Sequence, residues 1–339
     1  MASLSEIPPL VTTNEGELYV RLETQYAQSL LTPSQRIDRS QPDLKERYAN
    51  RYRQRRSEGY PVEDAVVLSL MDCCLTGAPT AKALADPTLM PRLVDTPSRS
   101  EIFLNRSNRS SFPALIVPRP GPYPIVADTE MLHRLLDAGA GIIQLRIKTD
   151  PASPETDAAV SAAVQIARRY PESQLFINDH WQAAIRHGAY GVHLGQEDLR
   201  DADLQAIHVA GLRLGLSSHA YWEVARALTV QPSYIACGPI FPTRAKAMPW
   251  IPQGIQNLTY WSRLIPFPVI GIGGVTLENL PEVWETGCDS VAMIAAVNSA
   301  ENPATALQAF HQIWQGLETA GDESQKLPAS FAIAGPTLE

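Results

Sequence analysis

PIVAD at 124–128, GIIQLRI at 141–147, QLFIND at 174–179, YGVHLG at 190–195, RLGLSS at 213–218, YIACGPI at 234–240, PVIGIGG at 268–274 and SVAMIAA at 290–296 decide the fold. Each is a short, near-continuous apolar run, and helical stretches separate one from the next. Strands that read as apolar throughout belong to a parallel sheet buried on both faces. Eight such units in about 200 residues predict a closed (β/α)8 TIM barrel. An open doubly wound sheet would have fewer strands and a glycine-rich turn after the first, whereas the turn after PIVAD holds no glycine.

The barrel is expected over residues 113–318, with its own core and the capacity to fold from about Pro113. Residues 1–112 read as a mainly helical extension and linker of unassigned function. Leu18, Leu22, Tyr26 and Leu30 recur at helical spacing, a charged stretch runs from Pro42 to Ser57, and an apolar one from Val62 to Cys74. Residues 95–124, rich in Ser, Arg, Asn and Pro, read as a linker, and 319–339 as a flexible tail. A helical interaction or oligomerisation module is one role for such an extension, which keeps a homo-oligomer open.

The net charge of −8 argues against nucleic acid as a partner, and the Lys45–Arg56 stretch reads as a solvated helix face. No segment approaches the ~20 apolar residues of a membrane span, and the N-terminus has no signal-peptide core. Cys73, Cys74, Cys237 and Cys288 form neither a C-x-x-C pair nor a zinc spacing, so they read as reduced thiols in a cytoplasmic protein without membrane partners.

Barrel enzymes hold their chemistry at the C-terminal ends of the strands. The second run ends in Gln144, Arg146 and Lys148, whose spacing of two puts them on one face of an extended chain. Two cations and an amide in a barrel mouth suit an anion. Asn178 and Asp179 end the third run, and His193, Gln196, Glu197 and Asp198 close the fourth. Asp179 and Asp198 are two carboxylates from successive strand ends, a seat for Mg2+, which takes one or two protein carboxylates and completes its shell with phosphate oxygens and water. The fifth run ends in Ser217, Ser218 and His219, and the sixth leads through GPIFPT to Arg244, Ala245 and Lys246. Gly273 and Gly274, with Ile294 and Ala295, end the last two runs, where backbone N–H groups commonly bind phosphate. The spacing thus describes two anion pockets, one assisted by Mg2+ and one free of metal, for small phosphorylated substrates.

QLRIK at 144–148, INDHWQAAIRHGAYGVHLGQEDL at 177–199, GLSSH at 215–219, GPIFPTRAK at 238–246, GIGGV at 271–275 and VAMIAA at 291–296 also fall in the order of a known family. Over roughly residues 118–316 the chain resembles the thiamine-phosphate synthases. The resemblance implies a transferase that couples hydroxymethylpyrimidine diphosphate with hydroxyethylthiazole phosphate, giving thiamine phosphate and pyrophosphate. It implies that Gln144, Arg146, Lys148, Asn178, Ser217 and Lys246 hold the diphosphate, with Arg146, Lys148, Ser217 and Lys246 acting in catalysis. It further implies Mg2+ on Asp179 and Asp198, and the thiazole phosphate on Thr243, Gly274 and the Ile294–Ala295 backbone, with Arg244 and Ala245 in the same substrate-binding segment. Two positions depart from the family: Ala245 and Ala295 stand where it has Thr and Ser. Both lost hydroxyls belong to the thiazole-phosphate side. They keep open the alternative of a catalytically silent or repurposed relative, such as a thiazole-phosphate binder or isomerase.

Overall fold

In a computed structural model of the protein, residues 7–14, 16–24, 27–75, 81–95, 111–242 and 252–321 are described. Eight parallel strands form a closed barrel: β5 (Gly121–Val126), β6 (Ile142–Leu145), β7 (Gln174–Asn178), β8 (Gly191–Leu194), β9 (Arg213–Ser218), β10 (Tyr234–Cys237), β11 (Val269–Ile272) and β12 (Ser290–Met293). All eight lie in the runs read from the sequence, and β12 closes on β5 with Ala292 opposite Tyr123. Strand side chains alternate between two cores, as a period of two requires. Tyr123, Ile125, Ile142, Phe176, Tyr234, Ala236, Ile270 and Ala292 fill the barrel interior, with Leu115 beneath them. Ile143, Leu145, Leu175, Ile177, Val192 and Leu194 face outward to the helices. The interior is aromatic because a neighbouring strand makes room for it. A Cβ on Gly215 would sit 2.1 Å from Cζ of Tyr234, so the glycine at 215 admits that ring.

The segment before β5 is a structural part of the barrel. Phe112 N donates to Gln231 O, and Ile116 N to the hydroxyl of Tyr190, tying residues 112–117 to the foot of the barrel. Of the expected linker, residues 96–110 lie outside the described residues.

The N-terminal region departs from a helical extension. It holds a four-stranded antiparallel sheet, β1 (Leu10–Thr12), β2 (Leu18–Glu23), β3 (Gln28–Thr32) and β4 (Arg92–Asp95), together with helices α1 (Leu44–Ser57) and α2 (Val62–Cys73). The two helices lie where the charged and apolar stretches predicted them. Leu18, Leu22 and Leu30 do not share a helix; they belong to β2 and β3, and Tyr26 lies outside the described residues. A spacing of four is one turn of a helix, but it is also two periods of a strand. The intervening residues decide: Leu18, Val20 and Leu22 are buried while Arg21 and Glu23 face water.

This layer does not stand apart from the barrel. It packs on α9 (Tyr221–Val230), the barrel helix after β9, nine of whose ten residues are buried. Tyr60 meets Tyr221 edge-on at 6.0 Å, Leu93 N donates to Thr229 Oγ1, and Tyr260 Oη donates to Leu84 O. One continuous apolar core runs from Val20 and Leu68 through Tyr221 to Val291. A barrel cut at Pro113 would uncover part of this shared core.

Candidate active site

The C-terminal strand ends surround a cavity of about 530 Å³. Gln144, Arg146, Asn178, Asp179, Asp198, Ser217, Gly274, Ile294 and Ala295 all line it, so residues distant in sequence converge as the strand-end reading expects. Lys148 is exposed and is not among the lining residues. The reason is local. β6 stops at Leu145, so the alternation that carries Gln144 inward no longer governs residue 148. Thr243, Arg244, Ala245 and Lys246 lie outside the described residues.

The acidic side is built by β7 and β8. Asn178 is the last residue of β7, and Asp179 follows in the left-handed region at φ 62°. A non-glycine residue there carries a conformational cost, which Asp and Asn bear better than other side chains. The backbone is pinned by Asp179 N donating to His193 O at 2.9 Å and Trp181 N to Asp179 O at 2.8 Å. Burial, then the neighbouring Asp198 carboxylate, push the Asp179 carboxyl up to about 7, against the opposing pull of Arg146 and Asn178. Two carboxylates held this close are mutually destabilising when both are ionised. A divalent cation between them removes that repulsion, and Mg2+ needs no third carboxylate. Among the described residues no cluster of three or more His, Cys, Asp or Glu offers another metal position.

The barrel floor carries a hydrogen-bonded chain that joins Gln144, His193 and Ser217 through two phenols not singled out in the sequence, Tyr123 and Tyr234. Gln144 Nε2 donates to the Tyr123 hydroxyl (3.2 Å), which meets the Tyr234 hydroxyl (3.0 Å); that in turn meets His193 Nδ1 (2.8 Å), and His193 Nε2 meets Ser217 Oγ (2.8 Å). Burial holds both phenols above their usual range, so they remain neutral hydrogen-bonding groups. The chain links the amide on β6 to the hydroxyl on β9. His219 also lines the cavity, with Nδ1 2.9 Å from Glu223 Oε2. The available signal was strand parity: position 193 lies on the inward face, where an apolar residue is the default.

The opposite wall is a backbone surface. Gly273 and Gly274 take φ of 100° and 73°, and a Cβ on Gly274 would lie 2.6 Å from Cβ of Phe241. Glycine therefore serves both the turn and the close approach of the 238–242 loop. Phe241 N donates to Gly273 O and Asn279 Nδ2 to Gly274 O, which hold the turn still. Beside it, Ile294 caps α12 (Ala295–Asn298), and Ala295 is exposed to the cavity. First-turn amides of a helix lack intrahelical acceptors, so this wall suits a phosphate without a metal.

A closed parallel barrel, with polar side chains on one side of its mouth and a glycine turn on the other, defines a barrel enzyme for phosphorylated small molecules. The family described as thiamine monophosphate synthase matches residues 122–297. Thiamine-phosphate synthase of Serratia proteamaculans is 47% identical over 199 residues, which cover 58% of this chain and 93% of that protein. The Salmonella typhimurium enzyme of the same name is 50% identical over 183 residues, covering 54% and 86% respectively. Among solved structures, a thiamine phosphate pyrophosphorylase from Pyrococcus furiosus superposes with a TM-score of 0.53 at 29% identity, over 60% of this chain and 99% of that one. The chain belongs to the thiamine monophosphate synthase family and is a transferase of thiamine biosynthesis. The family match begins at residue 122, so the N-terminal sheet and helices precede it.

Proposed function

We propose that this chain couples hydroxymethylpyrimidine diphosphate to hydroxyethylthiazole phosphate in the cytoplasm, with the diphosphate on the β6–β9 side of the mouth and the thiazole phosphate on the β11–β12 side. The observation that carries the reading is the convergence of Arg146, Asp179, Asp198 and Ser217 across one cavity from Gly274 and Ala295. Asp179 and Asp198 would hold Mg2+, which supplies positive charge against the departing pyrophosphate. Arg146 neutralises the same developing charge, Lys148 is an exposed cation that follows it in the chain, and Ser217 donates a hydroxyl. Gln144 and Asn178 orient the pyrimidine substrate. The pyrimidine methylene carbon sustains positive charge as its bond to oxygen breaks, and the thiazole nitrogen then forms the new bond to that carbon. No protein nucleophile is needed. Thr243, Arg244, Ala245 and Lys246 are assigned by family resemblance alone: Lys246 to the diphosphate, the other three to the second substrate.

The test is pyrophosphate release. It should require both substrates, cease when Mg2+ is chelated, and return when Mg2+ is restored. Release that is independent of the thiazole substrate, or none at saturating substrates, would favour the silent or repurposed relative.

The second departure from the family has a measurable consequence. Ala295 faces open cavity, so Ala295→Ser has room for its hydroxyl. A hydroxyl to a phosphate is charge-assisted. Discounted for competing water, it is worth roughly 1 kcal/mol, or about 3- to 10-fold in affinity. The KM for thiazole phosphate should fall by that factor, with the pyrimidine KM unchanged. A change confined to the pyrimidine substrate would mean the two pockets are assigned the wrong way round.

A further inference from the structure

The helix that joins the N-terminal layer to the barrel also joins it to the cavity. Two residues, His219 and Ala220, separate helix α9 from the end of β9. Its N-cap position is Ala220, whose side chain cannot accept a hydrogen bond. The first amides of a helix need acceptors, and here one comes from the other layer of the molecule. Asp64 of α2, fully buried, accepts from Trp222 N at 3.0 Å. The same helix then organises the cavity wall in two places. Glu223 Oε2 accepts from both the backbone N and Nδ1 of His219, which lines the cavity. Arg226 Nη1 donates to Gln196 O at 2.7 Å and to Gln196 Oε1 at 3.0 Å. Gln196 Nε2 in turn donates to Ser217 O at 2.6 Å. Helix α9 thus grips His219 in the loop after β9 and the β8 loop that leads to Asp198, and through Gln196 it reaches the carbonyl of Ser217 within β9.

We propose that the N-terminal layer completes the active site, with Asp64 as a positioning residue that caps α9 and thereby fixes Ser217, His219 and the Gln196–Asp198 loop on the diphosphate side of the cavity. Asp64 touches no substrate; it supplies the acceptor that the barrel's own helix lacks at Ala220. The inference rests on the assignment of Ser217 to the diphosphate. Because the affected loops follow β8 and β9, while the thiazole phosphate is assigned to β11 and β12, the effect falls on one substrate. Asp64 works through an oxygen that accepts from an amide. Asn retains such an oxygen, and Ala does not.

The experiment is steady-state kinetics on the full chain with each substrate varied in turn, alongside melting temperatures. Asp64→Ala should raise the KM for pyrimidine diphosphate about 10-fold, equivalent to roughly 1.4 kcal/mol, and leave the thiazole-phosphate KM within about 2-fold. Asp64→Asn should behave as the parent. Ala220→Ser, placed in the Asp64→Ala chain, should recover much of the lost affinity by restoring a cap from the helix itself. If Asp64→Ala does not give folded protein, Asp64→Val, which fills more of the space but offers no acceptor, is measured in its place and should show the same one-sided rise. Equal changes in both KM values, a lowered melting temperature with no KM change, or an Asp64→Asn as impaired as Asp64→Ala would overturn the proposal. Ser217→Ala separates this outcome from failure of the underlying assignment. It should raise the diphosphate KM alone, and if it does not, the assignment of Ser217 is at fault whatever Asp64 does.

Discussion

Asp179→Asn should lower kcat by about 10²–10³-fold, the typical loss when one group that stabilises developing charge is removed, while the melting temperature stays level or rises. The two effects share one cause. The carboxyl of Asp179 is pushed up to about 7 from 3.8 by burial and by Asp198. A carboxyl raised in the folded state takes up protons on folding, so its contribution to stability declines as pH rises from about 3.8 to about 7 and stays at its lowest above that. Asn removes the ionisation and with it the penalty, so the gain in stability should be larger at pH 8 than at pH 5. Asn also tolerates the left-handed backbone at φ 62°, which makes it a cleaner substitution than Ala. Protons should compete with Mg2+ below about pH 7, so the melting temperature of the parent should respond more to Mg2+ at pH 8 than at pH 6. A folded Asp179→Asn with parental turnover would remove Asp179 from the site.

Deletion of residues 1–112 should abolish soluble, cooperatively folded protein. Tyr221, Trp222 and Tyr260 of the barrel helices are each at most 3% exposed, on the side where the N-terminal layer packs. Uncovering a large apolar side chain costs about 1.5–3 kcal/mol. Three rings fully uncovered amount to about 5–9 kcal/mol, within the 5–15 kcal/mol that holds an ordinary domain together. The first turn of α9 would also lose Asp64. Expression of 113–339, followed by circular dichroism and binding of a dye that reports exposed apolar surface, checks this. A soluble fragment with a sharp thermal transition and no dye binding would show that the two layers share less stability than their packing implies.

The barrel was legible because each strand carries its own evidence. Runs such as YIACGPI are too short and too β-rich for helices, and eight of them in register leave little choice of topology. The N-terminal sheet was harder because Leu18, Leu22 and Leu30 sit at multiples of four, where the helical and extended periods coincide. Gln144, Arg146, Asn178, Asp179, Asp198 and Ser217, singled out at the strand ends, line one cavity. Lys148 is exposed and does not line that cavity, the strand having ended at Leu145. The strand ends pointed to His193 but not to its link with Tyr234 and Tyr123, because the two phenols read as ordinary residues of apolar runs. Nor did they point to Asp64 under α9, a contact spanning 158 positions that no local pattern encodes.

The most direct test of the central claim is identification of the product. Purified full-length protein is incubated with hydroxymethylpyrimidine diphosphate, hydroxyethylthiazole phosphate and Mg2+, and the mixture is resolved by chromatography and mass spectrometry. Thiamine phosphate should form one-for-one with pyrophosphate, and the same mixture with Asp179→Asn should yield little of either. No thiamine phosphate from folded protein at saturating substrates would contradict the account.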